Sequence, residues 1–310
     1  MKVGLIDVDG HNFPNLALMK ISAYHKSKGD SVEWYSPMFS GHLDRVYMSK
    51  VFSFTPDYEY CIDADEIIQG GSGYCISLID GKEVYDKTKD IPLPYEIEHI
   101  YPDYSLYPEL TKDTAYGYLT RGCPRKCSFC HTSVKDGVVS HKVADLSEFW
   151  NGQKNIVLLD QNILAYKDWK ELLQQLIDSG ATVEFNGGLD IRLMTEEKAK
   201  YVAQIKQKIV HFAWDRYEDK DKILPKFEMF KRISGFSARK MVVYTIVNYN
   251  TTLEQDLERI YTLLDLGYWA YVMIYNKNEL PRGHTYKKLQ RWCNNRIIFG
   301  TGVKFEDYKE

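Results

Sequence analysis

From Thr114 onward the chain alternates short apolar runs with amphipathic stretches, and this rhythm constrains the fold more than any other feature. Residues 116–120, 155–160, 182–186, 209–214, 241–247 and 268–275 read as strands, too apolar to alternate in from out. Helices are expected between them at 168–179, 195–206, 222–233 and 253–266. The first places Trp169, Leu172, Leu173 and Leu176 on one face and stops at Gly180. The last opens on Thr251 with Glu254 three residues on, a capping box, and closes on Gly267. Strands that are apolar on both faces belong in a parallel sheet covered by helices. Six such repeats predict a partial (β/α)6 barrel of the TIM type, whose ligands sit at the C-terminal ends of its strands.

A smaller unit precedes the barrel. Residues 2–8 form an apolar run that ends in the turn Asp9, Gly10, His11 and Asn12. A helix starts near Pro14 and Asn15, lines up Ala17, Ile21 and Tyr24, and stops at Gly29. Residues 31–35, 44–52 and 66–69 read as further strands, the last running into Gly70 and Gly71. The expected chain is therefore α/β throughout. It has a Rossmann-like domain over residues 1–90, an ordered Pro- and Tyr-rich connection over 91–113, and the barrel with a C-terminal extension over 114–310. Its 310 residues suffice for two domains of ~100–200 residues each. Near the end, residues 281–296 read as a basic amphipathic helix with Leu289 and Trp292 packed inward.

Charge narrows the partners. Lys and Arg total 40 against 43 Asp and Glu, a net charge of −3, so no positive excess is available for phosphates and nucleic acid is not expected. The N-terminus is broken by Asp7 and Asp9 and lacks a basic leader. The longest apolar run, 269–275, falls short of the ~20 residues of a spanning helix. A cytoplasmic protein with no membrane partner is expected. Three of the six cysteines crowd into residues 123–130, which in a reducing compartment points to metal rather than disulfides. Cys61, Cys75 and Cys293 share no spacing and read as buried small hydrophobes.

Cys123, Cys127 and Cys130 follow a strand directly, in a Cys-x3-Cys-x2-Cys spacing. Three thiolates so placed can hold three irons of a 4Fe–4S cluster and leave the fourth open to a chelating substrate. The competing reading is a non-catalytic, zinc-stabilised binding module that adds His131 as fourth ligand. Zinc takes a tetrahedron, usually from separated ligand pairs, and adjacent Cys130 and His131 are poorly placed to turn inward together.

In this strand context the motif, with Phe129 just ahead of the last cysteine, resembles that of the radical S-adenosylmethionine (SAM) enzymes. The likeness runs over residues 114–299. The strings YLTRGCP at 118–124, LLDQN at 158–162, FNGGLDIR at 185–192 and FAWD at 212–215 look like the branch that carries an N-terminal cobalamin-binding-type domain. The resemblance implies a 4Fe–4S cluster on Cys123, Cys127 and Cys130 that binds SAM and cleaves it reductively. The resulting 5′-deoxyadenosyl radical then takes hydrogen from an unidentified substrate. An electron donor such as flavodoxin or ferredoxin is implied with it. No catalytic residue is assigned. SAM contacts are expected by position at Phe129, at Asp160 or Asn162, at Glu184 and Asn186 for the ribose, and at Gly187 and Gly188 for close backbone approach. Arg192 is expected to clamp the SAM carboxylate, its alternative being a surface ion pair with Asp190 or Glu196.

Cobalamin domains of this fold carry an Asp-x-His-x-x-Gly loop that supplies an imidazole to cobalt. Asp9 and His11 keep that spacing, and Ser49, Lys50 and Val51 with Gly70 and Gly71 approximate the accompanying motifs. His11 is the candidate cobalt ligand, with Asp9 orienting it. Pro14 stands where glycine gives the corrin room, and its fixed φ argues against cobalamin binding. Cobalamin is thus not favoured, and a cobalamin-dependent radical SAM methyltransferase is the alternative reading.

Overall fold

A computed structural model describes residues 1–79 and 82–309, Lys82 by its backbone alone. By the density of internal contacts the chain divides into two compact units. One comprises Met1–Gln161 with Ala165–Lys167, the other Asn162–Leu164 with Asp168–Glu310.

The first unit opens with β1 (Lys2–Asp7), α1 (Leu16–Ser27), β2 (Ser31–Trp34), β3 (Leu43–Ser49) and β4 (Ala64–Gly70). These strands form a four-stranded sheet in the order β2-β1-β3-β4, parallel at every ladder. Helix α1 starts where Asn15 accepts a bond from the Leu18 amide, while its side-chain amide donates to Ser49 at 2.8 Å. Val3 and Leu5 on β1 meet Leu18 and Ile21 of α1 on one face. Each such buried side chain contributes about 1.5–3 kcal/mol. The opposite face, with Ile6, Val46 and Met48, packs against Tyr58 and Ile62 from the loop before β4 and against Tyr74 from a single helical turn after it. The apolar runs of this unit predict a parallel sheet covered on both faces, and both faces are covered, one by α1 and the other mainly by loop residues. The stretch between β3 and β4 lacks the apolar repeat a second helix would need.

Short elements follow: α2 (Ser72–Cys75), the hairpin strands β5 (Ile76–Ile79) and β6 (Lys82–Tyr85), α3 (Tyr95–Glu98) and α4 (Pro108–Thr111). The Pro- and Tyr-rich segment packs onto the first sheet through Ile97, which joins the Val3–Leu18 cluster. Its Tyr107 hydroxyl donates to Asp7 at 2.7 Å. Tyr104 donates to the Phe149 carbonyl and accepts from the Tyr116 amide at 3.1 Å. The unit continues with β7 (Thr114–Gly117), β8 (Thr120–Arg121), α5 (Thr132–Lys135), β9 (His141–Lys142) and β10 (Asn155–Leu158). Strands β7 and β10 are parallel, and β8 and β9 antiparallel.

The second unit runs α6 (Trp169–Ser179), β11 (Thr182–Phe185), α7 (Glu196–Gln204), β12 (Val210–Ala213), α8 (Lys220–Ser234), β13 (Met241–Val247), α9 (Leu253–Asp265), β14 (Trp269–Ile274), α10 (Thr285–Asn294) and α11 (Arg296–Gly300). Strands β12, β13 and β14 form a parallel sheet in that order. Leu189, just past β11, bridges to Phe212 on β12. All six strands expected from the periodicity are present, with ends shifted by a few residues. The chain is thus mixed α/β with parallel sheets, and closure of these strands into a barrel belongs to the proposal below.

Two expectations are corrected. Helix α9 starts at Leu253 as expected but is capped by Thr252 with Gln255, not by Thr251 with Glu254. Cys61 is exposed, whereas Cys75 and Cys293 are buried as expected. Helix α10 buries Leu289 and Trp292.

Candidate functional site

The cysteine loop is closed at its base by the short β8–β9 ladder and by one buried carboxylate. Asp160, at the end of β10, accepts from the Leu119 amide at 2.9 Å and from both the amide and hydroxyl of Thr120 at 2.6 Å. Burial outweighs these bonds and pushes its carboxyl up to about 6. Next to this anchor, Gly122 takes φ +88°, and a Cβ there would lie 2.3 Å from the Val139 carbonyl oxygen. The Cys123 amide donates to the Gly137 carbonyl, and the Cys130 amide to that of Cys127. Gln161 reaches back to Asp136 at 3.0 Å.

Cys123 and Cys127 are half-buried, Cys130 is exposed, and Phe129 between them is half-buried. Among the described residues no three His, Cys, Asp or Glu side chains already stand together as a metal-holding group. By donor chemistry, three accessible thiols on eight residues of one loop fit an iron–sulfur cluster. His131, the fourth ligand a zinc site would need, lies 3.3 Å from Glu83 instead.

The other expected SAM contacts fall in the second unit, except Asp160, whose two oxygens serve the cysteine-loop base. Asn162 donates to Asp190 at 3.3 Å. Asp190 also receives the Arg192 Nε at 2.7 Å, and Asp219 lies 3.5 Å from the same guanidinium. Arg192 therefore makes the Asp190 pair foreseen as its alternative role, while Glu196 pairs with Arg232. Asn186 and Gly187 are exposed, and Gly188, at φ +72°, sits against the His211 carbonyl. Glu184 is exposed on β11. It is near enough to Tyr244 to add to the rise that burial gives that phenol. Phe212 packs into α8 through Phe227 and Phe230, so His211 points to the opposite face, where its ring stacks on Tyr244 at 4.9 Å.

Sequence reasoning missed Asp215. It ends the FAWD string just past β12, half-buried, with its carboxyl pushed up to about 6 by desolvation against the pull of Arg192 and Arg259. Nearby, Arg259 is fully buried, donating to the Trp214 and Ile246 carbonyls at 2.6 Å and pairing with the equally buried Asp256.

At the N-terminal sheet, Asp9 does not orient His11. Its carboxylate binds the Val51 and Phe52 amides and the Thr55 hydroxyl, holding the loop after β3. His11 is exposed and rests edge-on against Trp34 at 4.3 Å. Pro14 is buried at the start of α1. Gly71, at φ +100°, receives this chain's own backbone, since a Cβ there would lie 2.3 Å from the Lys50 carbonyl oxygen. Lys50 itself is buried beneath Tyr74 and pairs with Asp57 at 2.6 Å. Ser49 is buried against Asn15. Ser49, Lys50 and Gly71 are thus taken up by the fold's own contacts, whereas His11 stays exposed.

Among the described residues no helix is long and apolar enough to cross a membrane. The sequence matches no protein-family profile and no curated protein. Among solved structures the chain is similar to the radical S-adenosylmethionine methyltransferase TsrM from Kitasatospora setae, determined with cobalamin and a 4Fe–4S cluster bound. The TM-score is 0.57 and the identity 11%, over 88% of this chain and 74% of that one. The likeness is one of fold.

Proposed function

We propose that this chain is a radical SAM enzyme whose Cys123, Cys127 and Cys130 hold a 4Fe–4S cluster. The observation that carries the reading is the three-cysteine loop, set directly after the β7–β8 strand edge in a chain whose fold is like that of a radical SAM methyltransferase. A reduced cluster of this kind supplies the electron that cleaves SAM and begins hydrogen abstraction from substrate.

The chain's own residues have defined tasks in this reading. Asp160 and Gly122 fix the backbone on which the thiols are carried, and the loop draws its side chains together when it takes the metal. Asn162 past β10, with Asp190 and Arg192 past β11, offers polar groups for the amino-acid end of SAM, and Glu184 and Asn186 do so for its ribose. Gly187 and Gly188 let backbone approach the ligand. To clamp a carboxylate, Arg192 has to exchange Asp219 or Asp190 for it. The six strands then form the partial barrel. Flavodoxin or ferredoxin serves as electron donor in a reducing cytoplasm.

Anaerobic reconstitution tests the cluster. Brown protein with about four irons per chain is expected, and Cys127→Ala should abolish the SAM-responsive paramagnetic signal of the reduced protein. Colourless protein holding zinc would overturn the reading. Cobalamin-dependent methyl transfer is the second reading, and the cobalamin of the structural neighbour is what favours it. Stoichiometric retention of hydroxocobalamin through gel filtration, lost in His11→Ala, would install it.

A further inference from the structure

The C-terminal edge of the first sheet carries a cavity of about 560 Å³, walled by the ends of β1 and β2 and by residues 56–60 of the loop after β3. In the order β2-β1-β3-β4 the sequence of strand addition switches sides at β1. A crevice outside the strand ends at such a switch point is where open α/β sheets take ligands. Those ligands commonly carry phosphate, held by helix N-termini and positive charge.

Here the wall chemistry is inverted. The lining includes no lysine or arginine but three carboxylates, Asp7, Asp57 and Glu59. Lys50, from outside the wall, neutralises Asp57 alone. Burial raises the Asp7 carboxyl, which receives the neutral Tyr107 hydroxyl and the Asp9 amide and stands near His11, while Glu59 is exposed at the rim with no ion-pair partner among the described residues. Around these charges stand aromatic rings. Trp34 is half-buried against His11, and Tyr58 meets Tyr60 at 5.5 Å, with Tyr60 70% exposed at the mouth. Ring faces combined with carboxylates in a wall that supplies no lysine or arginine attract organic cations and repel phosphates.

We propose that this crevice binds a small organic cation, an alkylammonium or guanidinium group seated between Trp34 and Tyr58 and held by Asp7 and Glu59. The inference goes beyond the radical SAM reading and uses none of its residues, so it is measured on iron-free protein. Full-length chain is titrated calorimetrically with agmatine and choline, with pyrophosphate and hydroxocobalamin as counter-probes. Saturable binding of at least one cation is expected, weakened about tenfold, or ~1.4 kcal/mol, in Glu59→Gln, a rim change that leaves the fold intact. Tyr58→Leu should weaken it similarly, and neither counter-probe should compete. Absence of saturable binding by both cations would overturn the proposal. So would cation binding unchanged in both variants, or displacement of the cation by pyrophosphate or hydroxocobalamin.

Discussion

Asp160 in the first unit and Arg259 in the second are buried charges that each gather backbone groups at the C-terminal ends of parallel strands, but only Arg259 brings its counter-charge with it. Arg259 collects carbonyls from Trp214 and Ile246 while Asp256 neutralises it from one helical turn away. Asp160 collects amides from Leu119 and Thr120, with a hydroxyl as its third donor. An ion compensated by hydrogen bonds alone keeps part of its desolvation cost, and the carboxyl of Asp160 rises accordingly. The second unit is therefore braced by a pair with fixed charge. The foothold of the cysteine loop is braced by a group that titrates near neutrality.

Breaking the compensated side should cost most. Arg259→Met leaves Asp256 as an uncompensated buried charge and should lower stability by about 3–5 kcal/mol in urea unfolding. Adding Asp256→Leu should recover much of the loss. A double variant as unstable as the single one would show that the carbonyl bonds, not the charge pair, are what matter.

The uncompensated side should show itself through pH. The folded-state carboxyl of Asp160 stands at about 6 against an ordinary 3.8. The native state thus holds a proton that the unfolded state has lost between those values. Its contribution to stability is complete below about pH 4 and falls as pH rises through 6, by up to about 3 kcal/mol. Asp160→Asn removes this titration. The advantage of the wild type over Asp160→Asn should accordingly shrink from pH 4 to pH 7. An advantage that grows with pH would mean the amide bonds outweigh burial.

Gly122→Ala probes the same loop without touching charge. The left-handed backbone and the 2.3 Å approach to Val139 should cost about 1–3 kcal/mol and lower iron uptake. The smallest effect on stability belongs to Arg192→Ala, within about 1 kcal/mol because the guanidinium is partly exposed. Its SAM affinity should nonetheless fall at least tenfold, or ~1.4 kcal/mol. Unchanged affinity would leave Arg192 as a partner of Asp190 and Asp219 only.

Much of this architecture was readable in local pattern. Six strands and the helices between them follow from apolar periodicity, because each element of a parallel sheet carries its own burial signal. The cysteine spacing sits within one loop and needs no long-range information. Where two local solutions were equally good, tertiary context chose: Thr251 with Glu254 and Thr252 with Gln255 both satisfy a capping box, and the chain uses the second. Long-range roles were illegible. Asp9 lies two residues from His11 but finds its partners 42 to 46 residues away. Asp160 and Asp215 stood in the quoted strings, yet nothing local shows that one serves the cysteine loop or that the other lies near two arginines. The crevice at Trp34 and Asp7 draws on three separate stretches of chain, and no spacing announces it.

The most direct test of the central claim is release of 5′-deoxyadenosine. Reconstituted, reduced protein is incubated anaerobically with SAM and the product is followed by chromatography. Slow release that requires the cluster and disappears in Cys123→Ala, Cys127→Ala and Cys130→Ala is the predicted result. An iron-loaded protein that binds SAM but forms no 5′-deoxyadenosine, or one that forms it equally without these cysteines, would contradict the account.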